Sequence, residues 1–459
     1  VNTVFARFSR LVVKAAMWAL DHFYEVGRLG RSIPAGPVLV IANHPNSVMD
    51  GLVVLKIAGR PVRPLARAPL FEQPLFGHLL RGMKALPVYR PQDFPAETWR
   101  NDETFEAAVS ALQRHEAVLI FPEGLSHSEA RIARMKTGAA RLAFEAEEAT
   151  AWKLGLRIVP VGLTYHRKHA FRGRVAAAVG RPVELAGWRE MRARDEWGAV
   201  ESLTAAMREA LEQVTLNLPT WEDRILIETA DALYAAEKRL ERPRSPQRLA
   251  PRLPRLQQFA QGLAWLHVAD PERHGQLTDS VRAYRQQLAA LGVGEGELPE
   301  RFNVWSVARY TLTHVMVLLV GLPLAALGTV AWYLPFKSPR LTLGLYRPAY
   351  EAVASLKLAT ALVAFPATYA VWLAAAWLAG GLIGILAAAL ALPLLGVVAL
   401  RWRDRWGRSR EDARIFWRAI RKRALRDQLL ERRRALVDEF DSVARSWQAE
   451  RRGRRRETV

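Results

Sequence analysis

The chain has 459 residues, of which 66 are Lys or Arg and 45 are Asp or Glu, so its formal charge is +21, and half of its residues are apolar. That apolar content excludes a disordered chain, and the length suits roughly two to four domains. The absence of cysteine excludes disulfides, thiolate metal sites and cysteine nucleophiles, while the charge fits an anionic partner: nucleic acid, an acidic membrane surface or a phosphorylated substrate.

At the N-terminus, Val4, Phe5, Phe8, Leu11, Val12, Ala15 and Trp18 fall on one side of a helix, and Arg7, Arg10 and Lys14 break the apolar run that a cleavable signal peptide needs. Residues 1–29 are therefore expected to form a basic amphipathic membrane-surface helix. From 33 to about 185 short apolar runs alternate with helical segments. The runs 38–42, 118–121, 158–163 and 175–179 read as strands, and 49–59, 101–116 and 139–150 as helices, which together imply an α/β layer fold with a largely buried sheet. Residues 186–300 read as helical, broken at 243–254, where four prolines and three arginines mark a linker.

Two uncharged stretches follow, 310–336 and 358–400. The second is interrupted by Gly380 and Gly381, and the 20 residues from Gly381 to Leu400 would span about 30 Å as a helix, the thickness of a bilayer's hydrocarbon core. A hairpin of two crossings turning at Gly380 and Gly381 is expected. It leaves the loop carrying Lys337, Arg340, Arg347 and Lys357 on the same side as residues 401–459, a basic helical tail with 20 Arg or Lys against 10 acids. Both belong on the cytoplasmic face, and the stretch 310–336 is then re-entrant or interfacial, with a third crossing as the alternative.

Chemistry concentrates at two strand ends. Asn43-His44-Pro45-Asn46-Ser47-Val48-Met49-Asp50 follows the strand 38–42, and a helix N-terminus there offers unpaired backbone N–H groups. His44 is a natural general base for a hydroxyl proton, and Asp50 is close enough along the chain to hold its ring in one tautomer. Phe121-Pro122-Glu123-Gly124-Leu125-Ser126-His127-Ser128 follows the strand 118–121. A carboxylate, two hydroxyls and a flexible Gly suit the gripping of a polyol or phosphate, although an ordinary strand-end turn with a capping Ser uses the same residues. His166 and His169 have i, i+3 spacing, but the two cations between them and the lack of a nearby acid argue against a metal site.

With Pro87-Val88-Tyr89-Arg90 and Val159-Pro160-Val161-Gly162, these clusters occur in an order that resembles the glycerolipid acyltransferases, the family of glycerol-3-phosphate and 1-acylglycerol-3-phosphate O-acyltransferases, over about residues 30–185. Five residues separate His44 from Asp50 where the family's first motif has four. Phe121-Pro122-Glu123-Gly124 matches the third motif, whereas Leu125-Ser126-His127 replaces its usual Thr-Arg-Ser and so lacks a cation. The resemblance implies an α/β fold, an acyltransferase domain over 30–215 with a mixed sheet flanked by helices; the patterning described above adds a helical region over 216–300 and membrane segments over 301–400, with C-terminal transmembrane helices.

The resemblance also implies a reaction. A fatty acyl group would pass from a thioester donor, acyl-CoA or acyl carrier protein, to a hydroxyl of glycerol phosphate or 1-acylglycerol phosphate in phospholipid synthesis, with no cofactor and no metal. His44 and Asp50 would be catalytic. Arg90 and Lys136 would hold the acceptor phosphate, and Glu123, Gly124 and Ser126 would bind the glycerol or order the loop. Membrane lipids would be the other partner, with the catalytic domain on the cytoplasmic face. Acylation of another lysophospholipid, and a non-catalytic basic membrane protein binding anionic lipid or nucleic acid, are the rival readings. Arginines mixed with acids and few aromatics in the tail speak against nucleic acid.

Overall fold

The computed structural model describes residues 3–90, 92–238, 240, 252–292 and 304–457. The linker expected at 243–254 lies outside these up to residue 251, and residues 252–254 already open a helix. The chain divides into two compact units, one built mainly from the residues up to Thr220 together with Ser338–Val363, the other mainly from the helices after Trp221.

The first unit is organised by one eight-stranded sheet in the order β1-β7-β6-β2-β5-β3-β4, with β8 also on β6. The strands are β1 (Tyr24–Gly30), β2 (Val38–Ala42), β3 (Val62–Arg67), β4 (Leu86–Val88), β5 (Ala117–Ile120), β6 (Arg157–His166), β7 (Gly173–Val179) and β8 (Val183–Glu184). β6, β2, β5, β3 and β4 run parallel, and β7 is antiparallel to β6, so the sheet is mixed. Every residue of β2 is buried, because helices cover both faces. Side chains alternate accordingly: Val38, Val40 and Ala42 join one core with Met49, Leu52 and Leu79, while Leu39 and Ile41 join the other with Leu112, Phe144 and Leu203. Each fully buried Leu or Ile here contributes roughly 1.5–3 kcal/mol. The helices on the first face are α1 (Thr3–Phe23), α2 (Val48–Ala58) and the pair α3 (Pro69–Glu72) and α4 (Pro74–Gly82). Those on the second are α5 (Asn101–Gln113), α6 (Gly138–Glu148), the short α7 (Arg189–Arg194) and α8 (Glu196–Glu212).

The surface helix expected over 1–29 is corrected in two respects. Tyr24–Gly30 is not helical but an edge strand, pairing in parallel with β7 from Tyr24 to Gly30. Moreover α1 carries two apolar stripes. Val12, Ala16, Leu20 and Phe23 are buried in the core, while Val4, Phe8, Leu11 and Trp18, spaced for the neighbouring helical face, remain exposed. Val12 thus belongs to the inner stripe.

In the second unit, α9 (Trp221–Glu237), α10 (Arg252–Ala269), α11 (Pro271–Leu291) and α15 (Arg423–Glu457) share a core that includes Leu233, Tyr284, Leu288, Leu429, Val437 and Phe440. The part of the basic tail in α15 is therefore a bundle helix with a buried apolar stripe. Its buried Arg433 donates to Glu237 at 2.8 Å. The 310–336 stretch does not make one straight helix: α12 (Val304–Ala331) ends in a bend of 50° before α13 (Tyr333–Tyr346). Pro335 has no N–H to offer the Ala331 carbonyl, which instead accepts the Trp372 indole at 2.9 Å. α14 (Val353–Arg421) is interrupted where Gly380 and Gly381 leave helical geometry, Gly381 at φ 56°. Tyr369 donates to the Ala389 carbonyl at 3.0 Å across this break. Residues 20 apart in a straight helix would be about 30 Å apart, so the uncharged run folds back as the hairpin expected from the paired glycines.

Candidate active site

β2 and β5 are adjacent parallel strands, Val38 to Ile41 pairing with Ala117 to Ile120. The loops after them therefore leave the same carboxyl edge of the sheet, the place where open α/β sheets build sites. Four hydrogen bonds join the two loops. The His44 N–H donates to Glu123 Oε1 at 3.0 Å, the His44 carbonyl accepts from Ser126 Oγ at 2.9 Å and from the His127 N–H at 3.1 Å, and the Ser47 N–H donates to Ser126 Oγ at 3.0 Å.

Asp50, fully buried on α2, returns to His44: its Oδ2 lies 2.9 Å from Nδ1. The longer spacing is accommodated by a turn through Ser47, at φ 48° and ψ −132°. This left-handed conformation costs a serine about 1–3 kcal/mol, offset in part by the bond that Ser126 makes to its N–H. Asp50 Oδ2 also accepts the Asn46 N–H at 2.6 Å, and Oδ1 accepts the Tyr165 hydroxyl at 2.6 Å. Burial, then the charge of Asp50, hold the Tyr165 hydroxyl well above the ordinary tyrosine range, so it stays a donor. A carboxylate receiving these donors fixes Nδ1–H as the third, which leaves Nε2 of His44 as an acceptor. The ring lies flat on Phe121, centroids 3.9 Å apart, and the side chain keeps 19% of its surface exposed. Reachable, oriented and aimed by a buried carboxylate, this imidazole can take a proton.

Glu123 is buried with both oxygens engaged, Oε1 by His44 and Oε2 by the Ala133 N–H at 2.7 Å and by His127 Nε2. Its geometry is that of a group ordering the loop. Ser126 is likewise bound between His44 and Ser47. Gly124 sits at φ +71°, and a Cβ there would lie 2.9 Å from Lys136 Cε, so the Lys136 side chain passes directly over it. Arg90 donates from Nη1 to the Gly124 carbonyl at 2.8 Å and from Nε to Asp93 at 3.0 Å. Arg67 and then Arg90 hold the Asp93 carboxyl below its usual range. Two cations thus meet at Gly124, one partly committed to Asp93 and the other, Lys136, exposed. Among the described residues no group of three His, Asp or Glu side chains is placed to hold a metal ion.

Sequence reasoning missed Tyr165, Tyr24, Lys168 and the pairing of His127. His127 is only 15% exposed and paired to Glu123. The Glu123 hydrogen bond raises its pKa above the usual 6.5. The stability this pair supplies is full below about pH 6.5 and is lost as pH rises through the higher folded value. Thermal unfolding followed from pH 6 to 9 should show the decline, and His127→Gln should flatten it.

Residues 26–164 match the family model described as Acyltransferase. This segment is an acyltransferase-family domain. The likeness to glycerolipid acyltransferases carried by its motifs is supported by curated relatives. Glycerol-3-phosphate O-acyltransferase 2 of Saccharomyces cerevisiae is 33% identical over 144 residues, 31% of this chain and 19% of that protein. Glycerol-3-phosphate O-acyltransferase 1 of the same yeast is 28% identical over 131 residues, 28% of this chain and 17% of that protein. The matches therefore span less than a fifth of either relative's length. A crystal structure of the 1-acyl-sn-glycerophosphate (LPA) acyltransferase PlsC from Thermotoga maritima aligns at 18% identity and TM-score 0.33, covering 45% of this chain and 79% of that one. All the clustered residues from His44 to Lys136 fall inside the acyltransferase-family segment.

Proposed function

We propose that the chain is a membrane-associated O-acyltransferase that moves a fatty acyl group from a thioester, acyl-CoA or acyl carrier protein, to a hydroxyl of glycerol 3-phosphate or 1-acylglycerol 3-phosphate. The observation that carries this reading is the buried Asp50 carboxylate 2.9 Å from His44 Nδ1 beside the Glu123 loop. Nε2 of His44 takes the acceptor's hydroxyl proton as its oxygen attacks the thioester carbonyl. A C–O bond forms, the C–S bond breaks, and the departing thiolate recovers the proton from the imidazolium. Asp50 stabilises that imidazolium. Negative charge on the carbonyl oxygen needs a donor. Of the N–H groups in the turn before α2 and in its first turn, those of Asn46, Ser47, Met49 and Asp50 are already bonded, and that of Val48 makes no hydrogen bond among the described residues.

Arg90 and Lys136 hold the acceptor phosphate, Lys136 as the charge with no ion pair among the described residues. Lys136→Ala is expected to raise the acceptor KM by about tenfold or more with a smaller change in kcat, since loss of a hydrogen bond to a charged group costs about 1.5–3 kcal/mol. The exposed α1 stripe, flanked by Arg7, Arg10 and Lys14, rests on an anionic bilayer surface, and the uncharged 358–400 hairpin inserts into it, with the acyltransferase domain on the cytoplasmic face. The deciding experiment offers labelled acyl-CoA and acyl carrier protein to the purified chain with each acceptor in turn. Labelled lysophosphatidate or phosphatidate is the expected product; thioester hydrolysis alone, or no turnover with any acceptor, refutes the reading.

A further inference from the structure

Lys168, just beyond β6, touches three parts of the first unit. Its Nζ donates to the Pro45 carbonyl at 2.9 Å and to Ser128 Oγ at 2.6 Å, and stands 4.5 Å from the centre of the Tyr350 ring. Its carbonyl accepts the Tyr24 hydroxyl, which in turn accepts the Asn46 side-chain amide at 3.0 Å. Ser128 Oγ donates to Glu351 Oε1 at 2.6 Å, and Glu351 lies in the turn Tyr350–Ala352 that leads into α14. Further into α14, Lys357 donates to the His169 carbonyl at 2.6 Å. One ammonium thus joins the residue after His44, the residue after His127 and the segment leading into the uncharged hairpin.

We infer that Lys168 is a positioning residue for His44, and that Glu351, acting through Ser128, holds Lys168 in place, so that the segment entering α14 helps to set the base. The inference rests on the reading of His44 as general base. Charge-assisted bonds are the strong ones, and the Pro45 carbonyl is one peptide from the imidazole, so its release lets the His44 ring drift from Asp50. A misplacement of about 1 Å costs a reaction on the order of 10²-fold.

The test uses the full chain in lipid–detergent micelles, with Lys168→Met, Lys168→Arg and Glu351→Gln. Lys168→Met should lower kcat about 10- to 100-fold while leaving the acceptor KM within about twofold. Lys168→Arg, which keeps the charge and its donors, should recover most of the loss, and Glu351→Gln should lower kcat to a smaller degree. Carbethoxylation of His44 by diethylpyrocarbonate, read by peptide mass spectrometry, should be faster in Lys168→Met and near wild type in Lys168→Arg. Unchanged kcat and unchanged labelling overturn the inference, as does a raised acceptor KM at unchanged kcat, which would make Lys168 a substrate contact. If Lys168→Met does not fold, Glu351→Gln decides by the same readouts. If the wild-type chain acylates no acceptor, the proposed reaction fails, and the His44 labelling rates still decide the positioning role.

Discussion

His44→Ala is expected to lower acyl transfer by about 10²- to 10⁴-fold, the usual contribution of a placed general base, without lowering the unfolding temperature appreciably. Both halves follow from where the imidazole stands. Its N–H and carbonyl, which tie the β2 loop to Glu123, Ser126 and His127, belong to the backbone and survive the substitution. Asp50 loses one donor but keeps the Asn46 N–H and the Tyr165 hydroxyl, so the buried carboxylate is still solvated by the protein. The ring itself leaves a partly exposed gap above Phe121 that water can enter. Turnover measured with each acceptor, together with thermal unfolding of the same preparation, separates these effects. Wild-type turnover in a folded His44→Ala protein would remove the imidazole from the mechanism.

Much of this arrangement was legible in the sequence, and the remainder was hidden for definable reasons. β2, β5, β6 and β7 announce themselves because strands buried on both faces are continuous apolar runs. β3, Val-Arg-Pro-Leu-Ala-Arg, does not, since Arg63 and Pro64 interrupt it and its charged ends reach Glu116 and Asp93. β1 was hidden because it follows α1 without a break, and its place at the sheet edge depends on pairing with residues about 150 positions later. His44 and Glu123 could each be recognised as polar groups at strand ends. Their meeting could not, because it requires β5 to lie beside β2, which only the sheet order supplies. Tyr165 shows the limit most clearly. Period two along β6 places it on the face of Val161 and Leu163, yet nothing local signals that its hydroxyl meets a carboxylate 115 residues earlier. The same holds for Lys168 and Glu351, whose link runs through a serine 223 residues from the glutamate.

Asp50→Asn should reduce kcat about 10- to 10³-fold, the usual worth of an opposite charge beside a forming cation, and leave the acceptor KM nearly unchanged. The side chain keeps its shape but exchanges one oxygen for an NH₂ group. Oδ2 faces two donors, the Asn46 N–H and His44 Nδ1, whereas Oδ1 faces only the Tyr165 hydroxyl, which can rotate to accept. The amide therefore settles with nitrogen toward Tyr165, so the His44 tautomer is retained and the fold is preserved. What is lost is the negative charge that stabilises the imidazolium, in a position without solvent exposure where water cannot replace it. Asp50→Ala is the contrasting variant. It strips the buried Asn46 N–H of its acceptor, which costs about 1–3 kcal/mol, and it frees the Ser47 turn whose strain the carboxylate helps to hold. Asparagine should thus be slow and stable, and alanine both slow and less stable. A folded Asp50→Asn protein with wild-type kcat would leave the carboxylate as a structural clasp for the Asn46–Ser47 turn and take it out of the proton transfer.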